Sequence, residues 1–183
     1  MSASRIVCFC FPLVVFVARV AAHGHVDVGP DSGAPDRLAL TGSSAETALY
    51  VPPGEPFSNY LPRFPGGYYA SELTFSAEDP DGSRARIELL SVTGPAGGEF
   101  AFWETNTTAP AWSRPTGWSA DTEDRPSFVT YEDGTGYGHI HGRAFTATHP
   151  GDYTVVFRAV DDAGLRAPSP PKTITFQVLA TPT

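Results

Sequence analysis

The chain has 183 residues and a formal net charge of −8 at pH 7. An acidic chain of this kind is unsuited to nucleic acids and to anionic membranes, so we expect neither as a partner. Glycine and proline account for 18 residues each, and so many residues that interrupt helices exclude a fold built from long helices.

The first residues have the layout of a secretory signal peptide. Arg5 supplies a positive start, an apolar run follows, and residues 20–22 (Val-Ala-Ala) fit a peptidase cleavage site. The apolar run is too short to be a good transmembrane helix. We therefore predict a signal peptide at residues 1–22 and a single secreted domain at 23–183, either extracellular or periplasmic, with no membrane span after cleavage.

Both cysteines, Cys8 and Cys10, lie inside the predicted signal peptide. The mature chain would then contain no cysteine, which excludes a disulfide and a thiolate metal site from the domain.

Short segments of strand-forming residues, separated by turn residues, run through the rest of the chain. The segments that we predict as strands are 25–28, 37–40, 48–51, 72–76, 85–92, 99–104, 137–146, 153–160 and 173–179. We predict a long loop at 52–67, and either a surface loop or a lid over the functional site at 106–133. Many short strands without a helical period predict an all-β fold, an antiparallel immunoglobulin-like β-sandwich, with Tyr153 as a core tyrosine.

Four of the five histidines form two His-x-His pairs, His23-Gly24-His25 and His139-Ile140-His141. Residues two apart on a strand point to the same face, so each pair directs two imidazoles to one place. Together the two pairs supply enough nitrogen ligands for zinc or copper. Asp27 shares the predicted strand face of His25, where it either completes the coordination shell of the metal or forms an ordinary strand-end hydrogen bond. The predicted metal ligands are His23, His25, Asp27, His139 and His141.

The fifth histidine, His149, precedes Pro150 in a stretch with the composition of a turn. A turn position gives it no strand face in common with the pairs, so we expect no metal-binding role for it.

An N-terminal histidine also allows an oxidative copper chemistry. If His23 begins the mature chain, its amine and ring, with one further histidine, would form the brace of lytic polysaccharide monooxygenases, which are secreted β-sandwiches. Trp112, Trp118 and Tyr68 would then be sugar-facing aromatics. The additional imidazoles of His25 and of the His139/His141 pair oppose this interpretation, because a brace needs three nitrogens and further imidazoles would fill the positions that oxygen must occupy. A third interpretation is a structural or adhesive domain with incidental histidines, and a non-enzymatic role is favoured.

Several stretches of the mature chain resemble the bacterial surface-anchored repeat domain, also called the choice-of-anchor M domain. They are His-Val-Asp-Val-Gly at 25–29, the Val-Thr-Gly-Pro and Phe-Ala-Phe-Trp motifs within 91–103, and His-Ile-His with the Pro-Gly-Asp-Tyr that follows, within 139–153. The resemblance implies a secreted or cell-surface β domain. Some family members are associated with metal-type ABC transporters, which implies metal capture, with such a transporter or another cell-surface component as partner. The chain departs from the family in showing no C-terminal anchor and in placing a histidine at the predicted mature start.

Overall fold

The computed structural model describes residues 24–58, 61–78, 82–120, 125–131 and 137–180. The predicted signal peptide and His23 lie outside these residues. The strands are β1 (His25–Asp31), β2 (Ala34–Gly42), β3 (Ala45–Val51), β4 (Tyr68–Ser71), β5 (Thr74–Glu78), β6 (Ala85–Thr93), β7 (Glu99–Trp103), β8 (Trp112–Pro115), β9 (Ser127–Val129), β10 (Tyr137–His139), β11 (Ala144–Ala147), β12 (Gly151–Asp161) and β13 (Lys172–Val178). The described part of the chain contains no helix of the length and hydropathy that crossing a membrane requires.

The strands form two sheets that pack as a sandwich, which confirms the predicted β-sandwich. One sheet has four strands in the order β10-β5-β1-β2, and the other has nine in the order β8-β7-β11-β4-β3-β13-β12-β6-β9. Most neighbours are antiparallel, but β1 pairs with β5 in parallel, as does β13 with β3. The sheets are therefore mixed rather than purely antiparallel, and the immunoglobulin-like subtype stays a prediction.

Aromatic side chains from both sheets meet in the core. The ring of Phe75 on β5 lies 5.4 Å from that of Phe157 on β12 and 6.0 Å from that of Phe145 on β11. Burying each such ring contributes roughly 2–3 kcal/mol. Because side chains alternate along a strand, a core-facing Phe75 turns its neighbours Thr74 and Ser76 toward the outer face of the four-stranded sheet.

The described residues of the predicted loop at 52–67 lie outside the strands, as predicted, and they cover part of the nine-stranded sheet. Leu61 and Phe64 are buried against Trp103, with the rings of Phe64 and Trp103 4.9 Å apart. Trp103 Nε1 donates a hydrogen bond to Thr146 Oγ1 at 2.9 Å. This second apolar cluster closes the outer face of β7, β11 and β4.

The prediction of one strand over 137–146 is wrong. β10 ends at His139, β11 begins at Ala144, and the two strands belong to different sheets. The chain crosses between the sheets through Gly142, whose φ of 81° lies in the left-handed region that favours glycine. The crossing places His141 beyond the end of β10 instead of on it.

The prediction of a surface loop or lid at 106–133 is also wrong for the residues that form β8 and β9. These two short strands are the edges of the nine-stranded sheet, so they extend that sheet and do not act as a lid. Tyr153 is confirmed as a core residue, since none of its surface is exposed.

Candidate metal site

Three of the four paired histidines lie together on the outer face of the four-stranded sheet. The ring centroids of His25 and His139 are 5.0 Å apart, and those of His139 and His141 are 4.5 Å apart. Two imidazoles that share one ion, each with its nitrogen about 2 Å from the metal, have ring centroids roughly 4.5–5 Å apart. These two ring separations therefore lie in the range that a shared ion would give, whereas His23 lies outside the described residues.

Strand β5 brings the histidines together, although it carries none of them. In the register, His25 is opposite Thr74 and His139 is opposite Ser76. Two strand spacings, about 9.5 Å, separate β1 from β10, so His25 does not lie on the strand next to the second pair. The small side chains of Thr74 and Ser76 leave room above β5 for the two rings to meet.

Ser76 contacts the histidine cluster directly. Its Oγ lies 2.6 Å from His139 Nδ1, and the residue is only 4% exposed although it points away from the core. A serine so covered is inaccessible to a substrate, which argues against a nucleophilic role. Sequence reasoning missed Ser76, because a serine in an alternating strand carries no signal of its own.

The backbone on both sides of the His25 side chain is fixed by hydrogen bonds. Gly24 N donates to Glu46 Oε2 at 2.8 Å, and Thr74 N donates to Gly24 O at 3.0 Å. On the other side, Ser43 N donates to His25 O at 2.8 Å. A Cβ at Gly24 would collide with the Glu46 carboxylate, so the glycine of this His-Gly-His pair permits the close approach. Glu46 was also missed, since it is distant in sequence.

Side chains from the loop after β7, together with a backbone carbonyl of β9, hold the crossing segment that carries His141. Thr105 Oγ1 donates to the His141 carbonyl at 3.1 Å. Arg143 binds both carboxylate oxygens of Glu104, through Nε at 2.8 Å and Nη2 at 3.1 Å. Its Nη1 donates to the Val129 carbonyl at 2.6 Å. The position of His141 therefore depends on a charged network as well as on the strand.

Asp27 is exposed and lies opposite Ser76 in the register of β1 with β5, on the face that carries the histidines. Its role as a ligand stays a prediction. His149 lies in the turn before β12, as predicted, with Nδ1 2.9 Å from Thr148 Oγ1.

The histidine rings are close together but do not form a ready coordination shell. In the part of the chain that the structure describes, no group of three or more histidine, cysteine, aspartate or glutamate side chains has the arrangement of a metal site. The rings of His25 and His139 are stacked within 12° of parallel. Because the lone pair of an imidazole nitrogen lies in the ring plane, stacked rings do not aim at one point. Metal binding would require rotation about Cβ–Cγ, a torsion with a broad energy profile.

Of the three aromatics considered as sugar contacts, one is buried and two are half-buried. Trp112 is 9% exposed, with its ring 5.6 Å from that of Phe102. Trp118 is half-buried beneath the Arg114 guanidinium, and Tyr68 is half-buried against Trp103. Trp112 is therefore not available to stack on a sugar.

In comparisons with known proteins, no family model matches the chain, and neither a curated protein nor a solved structure matches it. The resemblance to surface-anchored repeat domains therefore stays a prediction.

Proposed function

We propose that this protein is a secreted metal-binding β-sandwich domain that holds zinc or copper through His25, His139 and His141. The observation that carries the proposal is the proximity of these rings, which come from two strands and a crossing segment: His139 lies next to both His25 and His141. His23 and Asp27 are the candidates for a further ligand.

The ligand chemistry supports a transition metal. Neutral imidazole nitrogens suit zinc and copper, whereas calcium and magnesium prefer oxygen ligands. Zinc would accept a carboxylate such as that of Asp27 as a fourth ligand, and copper would also accept nitrogen ligands alone.

Exposure of the cluster supports capture of a metal rather than a permanent structural ion. His139 and His141 are both exposed, so an ion could enter and leave without unfolding of the domain. Capture at the cell surface, with a metal ABC transporter or another surface component as the receiving partner, is the physiological role that we propose.

Metal titration of single variants tests the proposal. We expect alanine at His25, His139 or His141 to weaken zinc or copper(II) binding at least tenfold, because each removes a ligand and loss even of an indirect contact typically costs ten- to a hundredfold. His149→Ala is the matched control, since it removes an exposed histidine from a turn before β12. Affinities measured by calorimetry, with a competing chelator for tight binding, provide the comparison.

Two results would contradict the proposal. One is an unmutated protein that binds neither metal more tightly than about micromolar, an affinity worth about 8 kcal/mol. The other is a His149→Ala variant that loses as much affinity as His141→Ala. Either result would favour a structural or adhesive domain with incidental histidines.

A further inference from the structure

A hydrogen bond joins Ser76, on the outer face of β5, to His139 of the histidine cluster. Ser76 Oγ and His139 Nδ1 are 2.6 Å apart. Thr74, two residues earlier on the same face, donates its hydroxyl to the Glu72 carbonyl at 3.1 Å instead. The two neighbouring hydroxyls therefore have different partners.

An imidazole has two nitrogens, and only one of them can bind a given metal ion. A neutral ring carries its proton on the other nitrogen, where a hydrogen-bond acceptor fixes both the tautomer and the orientation of the ring. Near Nδ1 of His139, the Ser76 hydroxyl oxygen can accept that proton. Nδ1 is therefore engaged toward the sheet, and Nε2 lies on the opposite side of the ring.

We propose that Ser76 is a positioning residue of the metal site and determines that His139 binds the metal through Nε2. In the metal-bound protein, His139 Nδ1–H donates to Ser76 Oγ, and the Nε2 lone pair points to the ion. This inference rests on the proposed function, because it concerns the same site.

The burial and location of Ser76 support this role over that of an incidental contact. The residue is 4% exposed on a face that otherwise carries polar groups, so water has little access to replace its hydroxyl. It also lies on the strand between β1 and β10. One small side chain therefore leaves space for the His25 and His139 rings and orients one of them.

Substitution of the hydroxyl tests the inference. Ser76→Ala removes the acceptor, and Ser76→Thr retains it. Thr74→Val is the matched control, because it removes a hydroxyl of nearly the same burial from the same strand face. We expect Ser76→Ala to weaken zinc binding ten- to a hundredfold, Ser76→Thr to restore most of the affinity, and Thr74→Val to change it less than about threefold.

Nitrogen NMR of the histidine rings gives a readout that a merely structural role would not change. In the zinc-bound, unmutated protein, the long-range ¹H–¹⁵N spectrum should show His139 with a protonated Nδ1 and a metal-bound Nε2. Zinc bound at His139 Nδ1 would overturn the inference even if Ser76→Ala failed to fold. A Ser76→Ala protein with unchanged affinity and unchanged ring signals would overturn it as well, while leaving the metal site intact. If the unmutated protein binds no metal, the proposed function fails and this inference fails with it.

Discussion

Gly138 occupies the tightest position next to the site. A Cβ built on it would overlap the Thr130 carbonyl oxygen, which belongs to rigid backbone and cannot move aside as a flexible side chain would. The absence of a side chain at Gly138 therefore lets β10 approach the segment after β9 and fixes the position of His139.

We predict that Gly138→Ala destabilises the protein by about 1–3 kcal/mol, the usual cost of forcing extra volume into a packed site. It should also weaken metal binding, because β10 must shift together with His139. Urea unfolding and zinc titration measure the two effects. Gly33→Ala is the control, since its Cβ would meet only Asp31 Oδ1 at 3.6 Å. Equal losses of stability and of zinc affinity in Gly138→Ala and Gly33→Ala would show that the close approach at Gly138 is unimportant.

Asp161 organises the turn after β12 through its carboxylate. Four backbone N–H groups donate to it at 2.8–3.0 Å, those of Arg84, Ala163, Leu165 and Arg166. Burial alone would raise the pKa of Asp161, but these hydrogen bonds outweigh it and hold the pKa below its usual value. The ionised carboxylate therefore stabilises the fold at neutral pH.

A lowered pKa in the folded state gives this stabilisation a definite pH dependence. It is fully present above the pKa of an unfolded aspartate, about 3.9, and is lost as the pH falls through the lower folded pKa. We predict that Asp161→Asn reduces stability by about 1–2 kcal/mol at pH 7, and that the difference from the unmutated protein shrinks below about pH 4. Urea unfolding of both proteins at pH 7 and pH 3 measures the difference in their free energies of unfolding. A difference of the same size at both pH values would show that the charge of Asp161 is unimportant.

The crossing between β10 and β11 is the structural element on which the position of His141 depends. The Arg143 side chain is 11% exposed, and its guanidinium lies 5.7 Å from the ring centroid of Phe102 and 5.8 Å from that of Phe128. Because it also binds Glu104 and a backbone carbonyl, it fastens the crossing to both β7 and β9.

We predict that Arg143→Met lowers stability by about 2–3 kcal/mol, through loss of charged hydrogen bonds and of the cation–π contacts. Arg143→Lys should recover less than half of the loss, because an ammonium group cannot reproduce the two-pronged contact with Glu104. Thermal unfolding provides the measurement, with Arg63→Met in the exposed part of the 52–67 loop as control. Full recovery by lysine would mean that charge alone accounts for the effect.

The elements differ in how far the sequence predicts them. The alternating runs of β12 and β13 have a clear period and are predicted well. β8 and β9 are short edge strands, which lie among prolines and polar residues that favour an irregular chain. Within 137–146, only Gly142 indicates that the chain passes from one sheet to the other. A glycine alone does not predict such a crossing, because the crossing depends on contacts with residues distant in sequence.

Similar limits apply to the site. The two His-x-His pairs suggest that His25, His139 and His141 lie near one another. The strand geometry behind that prediction is wrong, because His141 lies beyond the end of β10 and β5 separates β1 from β10. The position of β5 between β1 and β10 is not predictable from the sequence, because the parallel pairing of β5 with β1 is set by packing across the whole fold. Ser76 and Glu46 acquire their contacts only through that pairing.

At the scale of the whole molecule, the core and the proposed metal site are separate. The aromatic core fills the space between the sheets, and the histidines lie on an outer face. The protein should therefore fold without metal, and bound metal should add stability. At a metal concentration 100 times Kd, the gain is about 2.7 kcal/mol, which corresponds to roughly 5–10 °C in Tm for a domain of this size.

Circular dichroism of the chelator-treated protein, followed by thermal unfolding with and without zinc, measures both effects. Loss of the β-sheet signal on chelation would mean that the metal creates the fold, as in a zinc finger, and would contradict the separation of core and site.

The proposed function requires that His25, His139 and His141 bind one ion together. The most direct measurement is an anomalous difference map from crystals of the zinc-loaded protein, with data collected on both sides of the zinc edge. We predict a single strong peak about 2 Å from one ring nitrogen of each of the three histidines, with the His25 and His139 rings rotated out of their stacked arrangement. A peak bound to His149, or the absence of a peak near the three rings at saturating zinc, would contradict the claim.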